Sequence, residues 1–84
     1  MKFMNLCHYV SDLSKVAALR PAHRAYMAEL DGRGMLWAAG PLVDGHGGLF
    51  IYEANTMEQA LSVFHHDPYF VGGVGVPGLK CASG

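Results

Sequence analysis

Charge is scarce in this 84-residue sequence: only 15% of its residues are Asp, Glu, Lys or Arg, six basic against seven acidic, and no run of like charges occurs. Without a basic patch there is no electrostatic footprint for a phosphate backbone, so nucleic-acid binding is not expected. Long hydrophobic runs are missing too, and no stretch approaches the roughly 18 apolar residues that span a bilayer. The opening Met1-Lys2-Phe3-Met4-Asn5 leads into a strand-like segment rather than a signal peptide. The expectation is a cytoplasmic protein with no membrane partner. Cysteine is limited to Cys7 and Cys81, in neither a CxxC nor a metal-ligand spacing. If the terminal strands pair antiparallel, the two thiols lie about 20 Å apart. A disulfide requires Cα atoms within about 7 Å. Both read as free thiols in a reducing compartment, Cys7 packed and Cys81 in a loose tail. No HxH or HExxH spacing gathers metal ligands, so neither a metal nor another cofactor is expected.

What the sequence has instead is apolar residues, 51% of the chain. In one small domain over residues 1–84 that is more than a single core needs, and part of it is expected to meet a second subunit, making a homodimer. Lys2 to Val10 alternates, with Met4, Leu6, His8 and Val10 on one face and Phe3, Asn5, Cys7 and Tyr9 on the other, and reads as a first strand. Lys15 to Leu19 forms a short helical piece. Pro21 interrupts it, so the main helix begins at Arg20-Pro21 and carries His23, Tyr26, Met27 and Leu30 along one face. Gly32 and Gly34 end that helix. Met35 to Ala39 and Leu49 to Ala54 read as two strands joined by the turn-rich Gly40 to Gly48. Thr56 with Gln59 three residues later matches a capping box, and Met57, Ala60, Leu61 and Phe64 supply the stripe of a second helix. Asp67-Pro68 stops it, Tyr69-Phe70 forms a short turn, and Val71 to Lys80 is a glycine-broken last strand that Pro77 confines to a sheet edge.

The order βαββαβ predicts an α+β, ferredoxin-like fold with a four-stranded antiparallel sheet in the order 4-1-3-2 and both helices on one face. This topology gathers His8, His23, Pro41, His46 and Asp67 at one end. His23 occupies a core-stripe position and needs a partner there. Asp67, read as the residue closing the second helix, sits where the dipole disfavours a carboxylate and would gain from a cationic or hydrogen-bonding neighbour. A paired His and Asp at the mouth of an apolar pocket suits proton transfer near neutrality, because the carboxylate orients the imidazole. The structural alternative is a buried histidine satisfied by an aspartate that also closes a turn.

The remaining polar groups are less specific. His65 and His66 complement the dipole at the end of the second helix. His8 lines the same pocket if Met4 and Leu6 face the helices, or is satisfied within the core. Arg20 is either an anion-recognising residue or a solvated ion-pair residue. Tyr26, Trp37, Tyr52, Tyr69 and Phe70 read mainly as core or interface. Val71-Gly72-Gly73-Val74-Gly75 lacks a GxGxxG and a following helix, so it is no phosphate cradle.

Arg20-Pro21-Ala22-His23, Leu36-Trp37-Ala38-Ala39-Gly40-Pro41-Leu42, Leu49-Phe50-Ile51-Tyr52-Glu53-Ala54 and Asp67-Pro68-Tyr69-Phe70, taken together, resemble the YCII-related family over about residues 2 to 74. The sequence departs from that pattern at Gly75-Val76-Pro77-Gly78-Leu79, where the family has a longer, regular final strand. The resemblance implies a dimeric α/β barrel related in fold to muconolactone isomerase, with a histidine and an aspartate as active-site residues, roles that fall on His23 and Asp67. One branch of the family is a dehydrochlorinase acting on a chlorinated hydroxyhydroquinone. The expected function is therefore a cofactor-independent enzyme of lyase or isomerase type acting on a small cyclic or aromatic molecule. In it His23 and Asp67 are catalytic, either one being the base, and His8, Arg20, Trp37 and Pro41 bind substrate. The alternative is a non-catalytic ligand-binding or accessory domain in which the pair is structural; a third reading is a cofactor-free monooxygenase on the same barrel.

Overall fold

The structure is a computed structural model that describes residues 1–76 and the backbone of residues 79–81. Its elements are β1 (Lys2–Tyr9), α1 (Leu13–Gly32), β2 (Leu36–Pro41), β3 (Gly47–Glu53), α2 (Met57–His65), α3 (Pro68–Val71), β4 (Gly75–Val76) and β5 (Leu79–Cys81). The sheet runs β2-β3-β1-β4, with β5 also on β1, and every pairing is antiparallel. This is the ferredoxin-like order read from the sequence, with the last strand divided in two at the sheet edge. Pro77, to which the edge position was assigned, lies outside the described residues.

The β1–β3 register decides which face is core. Phe3, Asn5 and Cys7 lie opposite Tyr52, Phe50 and Gly48, and all six are buried. Leu30 of α1 and Ala60, Val63 and Phe64 of α2 close over that face. Met4, Leu6 and His8 pair with Ile51, Leu49 and Gly47 and point to the open face, where His8 is exposed. His8 therefore does not face the helices. The β1 alternation was apolar on both sides, and burial of Asn5, whose side-chain amide donates to the Tyr52 hydroxyl at 3.3 Å, selects the odd-numbered face.

The helix does not break at Pro21. α1 runs unbroken through it, capped at its start by Asp12, which accepts from the Ser14 amide at 3.1 Å. Val16, His23 and Leu30, seven residues apart and so on one side of the helix, are all buried. Both halves thus have a core face to hold, and this packing outweighs the roughly 3 kcal/mol that an internal proline costs. α2 starts as read: Thr56 accepts from the Gln59 amide, while the Gln59 side chain accepts from the Asn55 amide at 2.7 Å. Its buried stripe is Ala60, Val63 and Phe64; Met57 and Leu61 lie to its edge. β5 pairs Cys81 with Phe3, four residues along β1 from Cys7, which separates the two cysteines by about 13 Å along the strand. The gap is shorter than expected but still too wide for a disulfide, and Cys7 is a buried free thiol. Among the described residues no helix is long and apolar enough to cross a membrane.

Candidate functional site

Asp67 is not the last residue of a helix but the first cap of the next. α2 is closed by His66, and the Asp67 side chain accepts the Tyr69 amide at 2.9 Å at the start of α3, with Pro68 in the first turn. The Asp-Pro-Tyr-Phe string is therefore an N-cap followed by a proline that needs no amide hydrogen there. Capping fixes the carboxylate in place. The same Oδ1 receives the His23 ring: Nδ1 lies 2.8 Å away, with Asp67 fully buried and His23 6% exposed. A carboxylate only accepts, so Nδ1 is the donor and Nε2, on the far side of the ring, is left for other chemistry.

The imidazole is held on its faces as well. It stacks on Tyr69 at 3.8 Å between ring centres, 7° from parallel, and packs T-shaped with Phe50 at 5.3 Å between ring centres. Tyr69 thus serves the site twice, donating its amide to Asp67 and its ring to His23. The second carboxylate oxygen, Oδ2, is buried without a hydrogen-bond partner in the protein. Burying a carboxylate so incompletely paired is costly, which marks the site as held by its surroundings rather than by its own stability.

His23 and Tyr69 form part of the wall of a cavity of about 240 Å³ at the end of the molecule where α1 meets the β2–β3 hairpin. Tyr9, Arg20, Arg24 and Met27 line one side of it, and Ala39, Gly40, Pro41 and Phe50 the other. Asp67 lies behind the imidazole. A larger cavity of about 370 Å³ between α1 and α2, lined by Tyr26, Arg33, Gln59 and His66 among others, contains neither member of the pair. The smaller one is the site that can bring a ligand to His23.

Burial shapes the protonation of two neighbours. The Tyr9 hydroxyl is pushed up to about 12 by desolvation, then by the negative forms of Tyr69 and Cys7, with Arg20 pulling the other way. Tyr9 is therefore a neutral donor at any physiological pH. The Cys7 thiol is likewise pushed up to about 12 by desolvation and the Asp67 carboxylate, against a backbone hydrogen bond from Val76. It is no thiolate nucleophile.

Of the residues singled out in the sequence, His23, Arg20 and Pro41 line one cavity with Asp67 directly behind. Two do not join them. His8 is on the open sheet face, and Trp37, 63% exposed, lies beneath the Lys2 ammonium at 5.4 Å. An irregularity in the β2–β3 register between Leu36 and Ala38 accounts for Trp37, because it leaves this residue without a partner on β3. Tyr9, Arg24 and Tyr69 were missed as site residues. Arg24 was legible, one helical turn past Arg20, whereas placing Tyr9 needed the face of β1. Among the described residues no group of three or more His, Cys, Asp or Glu side chains could hold a metal.

No curated protein matches the chain in sequence. Among solved structures, the 5-chloro-2-hydroxyhydroquinone dehydrochlorinase (TftG) of Burkholderia phenoliruptrix AC1100, in complex with 2,5-dihydroxybenzoquinone, superposes with a TM-score of 0.84 over 96% of this chain and 92% of that one. At 21% identity this likeness speaks for the fold alone. The sequence model of the YCII-related domain matches residues 1–76, and the chain belongs to the YCII-related family.

Proposed function

We propose that this protein is a cofactor-independent enzyme of lyase or isomerase type, in which His23 moves a proton on a small cyclic or aromatic molecule and Asp67 orients it. The observation that carries this is the 2.8 Å bond from His23 Nδ1 to a fully buried carboxylate, on a ring that walls a cavity of molecular size. With Nδ1–H donated to Asp67, the neutral ring has its lone pair on Nε2, ready to accept a proton. Once protonated, the ring is charge-balanced by the carboxylate behind it. Arg20 and Pro41 bound the ligand, and Phe50 and Tyr69 supply flat apolar walls.

The dehydrochlorinase that shares this fold points to a reaction of matching demands. A chlorinated hydroquinone loses HCl when a proton is added to the chlorine-bearing ring carbon, two hydroxyl protons are removed, and chloride leaves with the bonding electron pair. The product is a quinone, and no outside oxidant is needed. One group that both gives and takes protons meets that requirement. The assay is a panel of halogenated phenols, lactones and quinols, with halide release and oxygen uptake both followed. Halide release or isomerisation without oxygen uptake supports the reading, and oxygen uptake with a phenol would support a monooxygenase instead.

One observation favours a second reading. The oxygen of Asp67 that binds His23 also caps α3, so the pair has structural work to do in an accessory ligand-binding domain. That reading requires His23→Ala to lose stability with no chemistry to lose.

We further propose that the protein acts as a cytoplasmic homodimer of single-domain subunits. Leu6, at 36% exposure, Met4, Leu49, Ile51 and the outlying Trp37 make the open sheet face apolar with no helix over it. A monomer by light scattering at micromolar concentration would contradict the dimer.

A further inference from the structure

Arg20 and Arg24 stand one turn apart on α1 and both line the cavity, on either side of His23 in the sequence. Like charges at this spacing repel each other. The helix offers no relief, because the positions three and four residues from either arginine hold no Asp or Glu. No ion pair forms elsewhere either: among the described residues the pairs involve only the N-terminus and Lys2 with Glu53, and His23 with Asp67. None of the residues lining the cavity is acidic. Tyr9 lines the cavity as well, its hydroxyl protonated and hydrogen-bonded to Tyr69. Beside the two arginines the cavity is lined by Met27, Ala39, Pro41, Phe50 and Tyr69, an apolar surface that suits an unsaturated ring.

We propose that the ligand of this pocket enters as an anion, a single-ring compound with negative charge delocalised over oxygen atoms, and that Arg20 and Arg24 are its specificity-determining residues. The assignment builds on the acid/base reading of the site by naming the substrate class. Placing anionic oxygens between the guanidiniums offsets their mutual repulsion and supplies charge-assisted hydrogen bonds. It also sets the ring against the aromatic wall that contains His23. A neutral ring of the same shape gains the stacking without the charge.

The test is calorimetric titration of the whole protein with 2,5-dihydroxybenzoquinone and with its uncharged ether, 2,5-dimethoxybenzoquinone. The first is a vinylogous acid and an anion at neutral pH. The wild type should bind the anion at least about tenfold more tightly than the ether, with affinity for the anion falling as salt is raised. Arg20→Gln and Arg24→Gln should each weaken the anion roughly tenfold or more and leave the ether unchanged. Both side chains are exposed on α1, so circular dichroism should show both variants folded. Equal affinity for the two probes, anion binding indifferent to both substitutions, or no anion binding by the wild type would each overturn the assignment. The acid/base reading fails by a different result, full turnover of an identified substrate by His23→Gln.

Discussion

Substituting Asp67 by asparagine and, separately, by alanine divides the two tasks that one oxygen atom performs. Oδ1 accepts from the Tyr69 amide at 2.9 Å and from His23 Nδ1 at 2.8 Å, in a site with no solvent exposure. Alanine strands two buried donors, the Tyr69 amide that Asp67 caps and the His23 ring N–H, each costing about 1–3 kcal/mol when left unpaired. The sum, about 2–6 kcal/mol, spans the roughly 3–5 kcal/mol usual for breaking a buried pair from one side. Asparagine keeps an acceptor oxygen for the cap and for the imidazole, loses the charge, and exchanges the unpartnered Oδ2 for an equally unpartnered amide group; about 1–2 kcal/mol is expected from the charge, the difference between a charged and a neutral hydrogen bond. A chain of this size has a total stability on the order of 5–15 kcal/mol, so the asparagine protein should fold while the alanine protein approaches its limit. Urea unfolding followed by circular dichroism measures both, and at about 4–8 °C per kcal/mol a thermal scan separates them clearly. Equal losses for the two variants, or less than about 0.5 kcal/mol for alanine, would refute the shared role of Oδ1.

Other expectations follow from the same packing. The Cys7 thiol, raised from about 9 to about 12, should resist alkylation in the folded protein at pH 8 and react promptly in urea. The folded state holds this proton more tightly than the unfolded one. Stability should therefore be undiminished below pH 9 and decline as pH rises from about 9 to 12; a flat urea midpoint across that window would contradict it. Gly47→Ala places a methyl 2.3 Å from the Cys7 carbonyl oxygen, a backbone atom of the paired strand, and should destabilise the protein by more than about 1 kcal/mol, with a thermal scan as the check. Pro21→Ala, at an exposed position within a continuous helix, should raise the melting temperature, because it restores the amide that Ala17 lacks as a partner and gains about 1–3 kcal/mol.

The order of elements was legible because it rests on turns and caps, which are local: Thr56 with Gln59 at the start of α2, and the glycine-rich hairpin. What failed was decided by contacts across the fold. Pro21 is a stop signal by local rules, yet Val16 on one side and Leu30 on the other are both fully buried, and the helix continues. The two faces of β1 were indistinguishable as strings of apolar residues, so the side of His8 depended on the burial of Asn5 against Tyr52. Asp67 was recognised as unusual for the wrong reason. It is no misplaced C-terminal carboxylate but a buried cap, and this second bond holds it where His23 can reach it. Tyr9 and Tyr69, the rest of the wall around His23, come from β1 and α3, elements far apart in sequence that only the fold brings together.

The central claim is that the imidazole of His23 moves the proton. Its most direct test is the turnover number of His23→Gln against wild type on a substrate found in the halogenated quinol panel, with folding confirmed by circular dichroism. Glutamine can still donate to Asp67 but cannot exchange a proton near neutrality, so the predicted result is a fall in kcat of about 10²–10⁴ in a folded protein. A variant that turns over within a few-fold of wild type would contradict the claim.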